Sequence, residues 1–277
     1  MKKIFISNRG RDAFHELKVL QNLGKQEHAH RHLVKLLATY EQHNHLCLIL
    51  PWAEMDLAEY WETKNPRTCH GNAALSTWLK EQCHGLAEAV SYIHRYKTFS
   101  STTMLGNITF AVPEAGAGRH RSQSNGSIRQ RDFMLSGRHG DIKPKNILWF
   151  PRASSAESSN TDLGILKLSD FGSAHFSEEE AISAQDKHTV PYTEAYQSPE
   201  CQLPHGKLSP QCDVWALGCV FLEFVCWYCG GQDLLKEFQR ERERDSGNRN
   251  SCFFVITEGF AQLNPPVVKV SAYPLTL

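Results

Sequence analysis

Residues 139–148, HGDIKPKNIL, place an aspartate (Asp141), a lysine (Lys143) and an asparagine (Asn146) within six positions as the chain runs from polar into apolar sequence. A carboxylate can accept a proton, an ammonium can neutralise an anion, and an amide oxygen can ligate a hard cation. A second carboxylate, Asp170, follows in LSDFG, residues 168–172, at the end of another short apolar run. Together these groups offer acid–base chemistry, a point charge and oxygen ligands. The same letters also suit a polar turn with a helix cap and some surface charge, so the surrounding elements must decide.

The chain has 277 residues, 41% of them hydrophobic, enough to bury a sizeable core in one large domain or two lobes. Thirty basic and thirty acidic residues balance. There is thus no bulk attraction toward nucleic acid or an anionic membrane, and neither is expected as a partner. Nine cysteines show no metal or disulfide spacing beyond Cys226 and Cys229, which lie in a Trp/Tyr-rich apolar stretch. Packed thiols in a reduced, intracellular setting, cytoplasmic or nuclear, are the expectation. Met1 is followed by two lysines and only IFI before polar residues, which is no signal peptide. The longest apolar run, WALGCVFLEFVCWYC at 215–229, is shorter than a membrane span and broken by Glu223. It reads as a buried core helix.

Positioning elements can be read along the chain. MKKIFI is β-type, and DAFHELKVLQNL is an amphipathic helix with Phe14, Leu17, Leu20 and Leu23 on one stripe, Glu16 beside it and Asp12 as N-cap. LVKLLATYE and LCLILPW are two β-runs joined by the turn QHNH, giving a small sheet with one helix. STWLKEQCHGLAEAVSYIHRY is a long helix carrying Leu79, Cys83, Leu86, Val90 and Ile93. Residues 98–136 lack periodicity and read as an insertion or disordered loop. Its basic part, around Arg119 to Arg131, suits either an anionic partner or mere solubility. RASSAESSNTD is a hairpin loop between two short strands, and LSPQCDVWALGCVFLEF is a core helix with Ser209 and Pro210 at its cap and first turn. His28, His30 and His32 in EHAHRH alternate as metal ligands might, or form a turn into the next strand. KEFQRERERD reads as a solvated helix face.

The ordered series HGDIKPKNIL, LSDFG, TEAYQSPE (193–200) and DVWALG (213–218) resembles the eukaryotic protein kinase superfamily. LLATYEQ, LILPWAEMDLAEYW and RHGDIKPKNILWF further resemble fungal Ser/Thr kinase-like domains. The resemblance implies an α+β, two-lobed kinase-like fold over residues 1–258. A small-lobe remnant would cover 1–53 and a mainly helical large lobe 54–258, with the insertion at about 98–136 and an atypical tail at 259–277. It also implies transfer of the γ-phosphate of ATP, with Mg²⁺, to Ser or Thr of a protein substrate. The alternative is an impaired kinase-like scaffold that binds partners. Oligomeric state is left open.

By the same resemblance Asp141 would orient and deprotonate the acceptor hydroxyl, and Lys143 would reach the transferring phosphate. Asn146 and Asp170 would ligate Mg²⁺. Glu16 would pair with an ATP-positioning lysine, Lys2 if MKKI stands for the family's VKKI, although Lys2 and Lys3 also fit ordinary surface lysines. Pro51, Trp52 and Ala53 would form the hinge facing adenine, with Pro51 able only to accept. Asp56 is a ribose contact or the cap of the following helix. Thr193 favours Ser or Thr as acceptor, Glu200 is an acidic anchor, and Asp213 would hydrogen-bond the catalytic-loop backbone.

Gly140 stands where most of the family carries an arginine that grips an activation-loop phosphate, so control through Thr189 or Ser183 is not expected. No Gly-rich loop precedes Lys2, and the last 25 residues drift into Pro- and Val-rich sequence instead of further helices. A chain incomplete at both ends, binding nucleotide weakly, is the expectation.

Overall fold

Leu46, Cys47 and Leu48 are buried in succession, so their strand is covered on both faces and lies inside a sheet. In the computed structural model Lys2–Phe5 (β1), Ala38–Gln42 (β2) and His45–Ile49 (β3) form an antiparallel sheet in the order β1-β3-β2, with Lys2 opposite Leu48. The structure describes residues 2–5, 11–25, 29–43, 45–66, 73–99, 132–152, 163–177, 194–203, 206–245, 252–257 and 259–271. Arg11–Lys25 (α1) buries Val19, Leu20 and Leu23 together with Glu16. Asp12 falls inside α1 and does not cap it. The expected strand 33–41 is shorter, because Leu33 leaves the sheet for a parallel bridge to Leu168. Val34 N donates to Leu168 O at 2.9 Å and Leu168 N to His32 O at 2.8 Å.

The chain continues through Met55–Asp56 (β4), Leu57–Thr63 (α2) and Ala73–His94 (α3). Then come Arg95–Phe99 (β5), Asp132–Arg138 (β6), Ile147–Phe150 (β7), Ile165–Leu168 (β8) and His175–Ser177 (β9). Two antiparallel sheets result, β4-β7-β8 and β5-β6-β9. The insertion expected at 98–136 is therefore narrower. Phe99 pairs with Asp132, so both of its edges are strand. Its remainder, and most of RASSAESSNTD, lie outside the described residues. Local composition misses these edges because the order comes from a strand distant in sequence.

Gln211–Asp245 (α4) is two helical runs joined at Gly231, where φ is +70° and ψ −162°. Glycine reaches that conformation without a Cβ penalty. The second run carries the solvated face expected of it, with Lys236, Glu237, Arg240, Glu243 and Arg244 exposed, while Leu235, Phe238 and Arg242 are buried at helical spacing on its other side. Phe254–Thr257 (β10) and Phe260–Leu263 (β11) pair as a hairpin through Gly259, and Pro265–Ser271 (α5) follows. α4 is long and apolar enough to cross a membrane. Its Val220, Phe224 and Trp227 nevertheless pack into the common core.

That core centres on aromatic rings from four elements. Tyr60 lies 5.7 Å from Trp78, 5.5 Å from Trp149 and 5.6 Å from Trp227 between centroids, and Phe224 packs edge-on to Trp78 at 5.9 Å. Each such pair adds about 0.5–1.5 kcal/mol beyond its buried area.

Gly85 brings α3 against His32, whose Nδ1 is 2.8 Å from Leu166 O. A Cβ at Gly85 would meet the imidazole at 2.0 Å. Gly85→Ala, which in an exposed helix stabilises by about 1 kcal/mol, is thus expected to destabilise by about 1–3 kcal/mol in urea unfolding. His32 also sets a pH dependence. Burial pushes its pKa from 6.5 down to about 4. The unfolded chain therefore binds this proton first, and stability is lost as pH falls from about 6.5 toward 4. The loss between pH 7 and pH 5 is on the order of 2 kcal/mol. Urea midpoints at the two pH values should show it, and His32→Gln should flatten the difference. Some slope should persist, because burial lowers His139 in the same direction.

Candidate active site

The site is built around Asp213 at the start of α4, which is 2% exposed. Its Oδ2 accepts from His139 N at 2.7 Å, its Oδ1 from Gly140 N at 2.9 Å, and His94 Nε2 lies 3.0 Å from Oδ2. Two successive backbone amides converge on one carboxylate, as the sequence led us to expect. Gly140 has φ +82°, and a Cβ there would lie 2.7 Å from Ser173 O. Its lack of a side chain thus has a steric counterpart.

This clamp presents Asp141 to its neighbours. Asn146, at the end of a 3-10 turn over Pro144–Asn146, donates from Nδ2 to Asp141 O at 2.8 Å and Oδ2 at 2.9 Å. Lys143 Nζ is 2.8 Å from the same Oδ2. The three residues expected to do chemistry therefore share one hydrogen-bonded group. Asn146 is anchored from the other side: both Ser169 N, at 2.8 Å, and Ser169 Oγ, at 2.9 Å, donate to Asn146 O. Ser169 was not singled out in the sequence, although its place before Asp170 is the signal that could have found it.

Asp170 adopts φ +62°, ψ +77°, a left-handed conformation uncommon for a residue with a Cβ. The fold holds it there. Phe171 is fully buried with its ring 5.2 Å from that of His139, and His139 Nε2 lies 3.0 Å from Ser169 O. Strain of this kind concentrates at functional positions. Lys2 Nζ is 2.8 Å from Asp170 Oδ1 and 2.7 Å from Glu16 Oε2, so β1, α1 and the LSDFG turn meet in one ion network. Burial opposes the Asp170 charge, yet the Lys2 hydrogen bond and charge outweigh it and hold the carboxyl below its usual range. Burial likewise opposes the Lys2 ammonium, and the bonds to Asp170 and Glu16 raise it nonetheless.

The other expected positions are placed as follows. Pro51 and Ala53 lie half-buried between β3 and β4, with Trp52 between them 86% exposed. Asp56 caps α2, its Oδ1 accepting from Glu59 N at 2.9 Å, so the cap reading is the one realised. Thr193, Thr189, Ser183 and His28 lie outside the described residues. His30 and His32 belong to no cluster of three metal-binding side chains among the described residues.

Glu223, Arg242 and Tyr196 form a buried group that the sequence reading missed. Tyr196 Oη donates to Glu223 Oε2 at 2.7 Å, and Arg242 Nη2 donates to Glu223 Oε1 at 2.9 Å. Only the lone Glu223 within the apolar run 215–229 hinted at it. Beside it, Lys143, Lys145, Tyr196, Lys236, Gln239 and Glu62 line a cleft of about 350 Å³.

The donor chemistry fits a hard cation. Asn146 commits its Nδ2 to Asp141, which leaves its Oδ1 as an acceptor, and among the described residues the Asp170 bonds to Lys2 and Gly172 fall on Oδ1.

The clamped loop and the left-handed aspartate lie in a part of the chain that is similar to the eukaryotic protein kinase superfamily. The protein kinase domain family matches residues 136–249. Among curated proteins, the chain is 23% identical over 221 residues to the serine/threonine-protein kinase AFC2 of Arabidopsis thaliana, covering 80% of this chain and 42% of that protein. It is 36% identical over 106 residues to MAP kinase-activated protein kinase 2 of Homo sapiens, covering 38% and 23%. To mitogen-activated protein kinase 9 of Arabidopsis thaliana it is 38% identical over 88 residues, covering 31% and 15%. The matched region thus spans less than half the length of each of these relatives.

Proposed function

We propose that this chain is an ATP-dependent protein kinase domain that passes the γ-phosphate to a serine or threonine of a protein substrate. The observation that carries the reading is the Lys2 ammonium bridging Glu16 and Asp170, residues far apart in sequence that have no local reason to meet. In this reading Lys2 holds the nucleotide phosphates and Glu16 holds Lys2. Pro51 and Ala53 offer backbone groups to the base, and Asp56 stands near the ribose position as well as capping α2. Asn146 and Asp170 hold Mg²⁺. When bound, Mg·ATP supplies the transferable phosphoryl group and neutralises charge developing on it. Asp141 orients the acceptor hydroxyl and takes its proton, and Lys143 stays beside it as a point charge toward the transferring group.

The cleft flanked by Lys143, Tyr196 and Glu62 would take the substrate segment. An intracellular setting, cytoplasmic or nuclear, goes with this reading, since the described cysteines are all free thiols.

The test is transfer from γ-labelled ATP to a Ser/Thr-containing protein by the purified chain. Label on Ser or Thr that disappears with EDTA and returns with added Mg²⁺ is the expected result. Label on Tyr alone would overturn the acceptor assignment. Absence of any transfer by a folded chain would leave the scaffold alternative.

A further inference from the structure

The cleft beside Lys143 carries a charge pattern that the transfer chemistry does not use. Three ammonium groups line it, Lys143 and Lys145 from HGDIKPKNIL and Lys236 from α4, and Glu62 on α2 is the one carboxylate in the lining. Lys143 is committed to Asp141 at 2.8 Å. Lys145 and Lys236 are exposed, and among the described residues neither has an ion-pair partner. Arg240 adds charge on the same side: its Nε donates to Lys236 O at 3.2 Å, which folds the guanidinium back toward the Lys236 turn.

The carboxylates nearest these cations are spent or turned elsewhere. Glu223, behind the cleft, accepts from Tyr196, Gln239 and Arg242, and the first two of these are themselves lining residues. Asp233, three residues before Lys236, lines the adjoining cleft of about 200 Å³ instead. Trp61 and Leu235, both buried, give the lysine-lined cleft an apolar base. At about 350 Å³ it is at the small end of ligand-sized pockets, with room for a few side chains of an extended segment. Because Lys143 both lines it and touches Asp141, the cleft begins beside the group that would take the acceptor's proton.

We propose that this cleft selects an acidic substrate segment, a peptide carrying aspartate or glutamate close to its acceptor hydroxyl, with Lys145 and Lys236 holding the carboxylate. The assignment rests on the cleft being the substrate groove and names the class of segment it takes. Carboxylate fits better than phosphate. Lysines are point charges without the planar fork that grips phosphate oxygens, and Glu62 repels a dianion more than a monoanion.

The test is fluorescence anisotropy of short labelled peptides of equal length, each with a central serine, titrated with the full chain in the absence of nucleotide. The residues flanking the serine are glutamate, glutamine, lysine or phosphoserine. The glutamate peptide is expected to bind about three- to tenfold more tightly than the glutamine one, the worth of two exposed charge pairs, and the gap should close as salt is raised. The lysine peptide should bind least tightly. Lys145→Glu combined with Lys236→Glu should reverse the order of the glutamate and lysine peptides. Glu62→Gln should tighten the glutamate peptide, a gain that misfolding does not produce. Equal binding of the glutamate and glutamine peptides, or an order unchanged by the charge reversal, would overturn the proposal. Preference for phosphoserine with none for glutamate would overturn the choice of carboxylate. Binding is read without transfer, so the two readings fail separately: acidic preference in a folded chain that transfers no phosphate supports the cleft and not the kinase activity, and transfer without that preference does the reverse.

Discussion

Replacing Asp141 with asparagine is expected to lower Mg·ATP-dependent phosphate transfer by about 10²- to 10⁴-fold, the usual worth of a positioned general base. The amide keeps the shape of the carboxylate and an oxygen able to accept from Asn146 Nδ2 and Lys143 Nζ, which lie 2.9 Å and 2.8 Å from Asp141 Oδ2. It cannot take a proton. The loss should therefore fall on kcat, while KM for ATP and the thermal midpoint stay near those of the parent chain. A melt that collapses alongside activity would assign Asp141 a structural role and sink the chemical one.

The largest stability effect is expected at Glu223, whose replacement by alanine should cost about 3–5 kcal/mol in urea unfolding, as for other buried pairs broken from one side. Glu223 is fully buried and accepts from Tyr196, from Arg242 and, at 3.1 Å, from Gln239 Nε2. Arg242 is 1% exposed, and its guanidinium lies over Phe253 at 3.8 Å and Phe238 at 4.5 Å. Without Glu223 that cation keeps its ring contacts and loses its counter-charge. An arginine cannot neutralise itself by losing a proton, whereas a stranded glutamate can gain one. Arg242→Met, which keeps an apolar body between the two rings, should therefore cost less than Glu223→Ala. Equal costs would show that packing, and not uncompensated charge, governs the group.

The Glu223–Arg242 pair also shows where sequence reading stops. Arg242 sits in a run of alternating charges whose local pattern is that of a solvated helix. It is buried only because Gly231 turns the second run of α4 back across the first and Phe253 arrives from beyond it. No window of neighbouring residues contains that information. The edges of the 98–136 segment were hidden in the same way, since their order depends on pairing between β5 and β6.

What the sequence determined by itself was whatever depends on short spacing. Asp141, Lys143 and Asn146 stay near one another because five residues of chain span at most about 17 Å. The helical stripe of α3 declares its own buried face, and Asp213 stands at the head of a helix where a carboxylate can collect amides. Only the tertiary structure decided which partners those groups meet. Lys2 reaches Asp170, Asp56 spends an oxygen on capping α2, and Arg242 is drawn to Glu223. The reason is physical. Spacing along a helix or turn is set by local backbone geometry, whereas contacts between distant residues are chosen by how the buried faces of separate elements pack together.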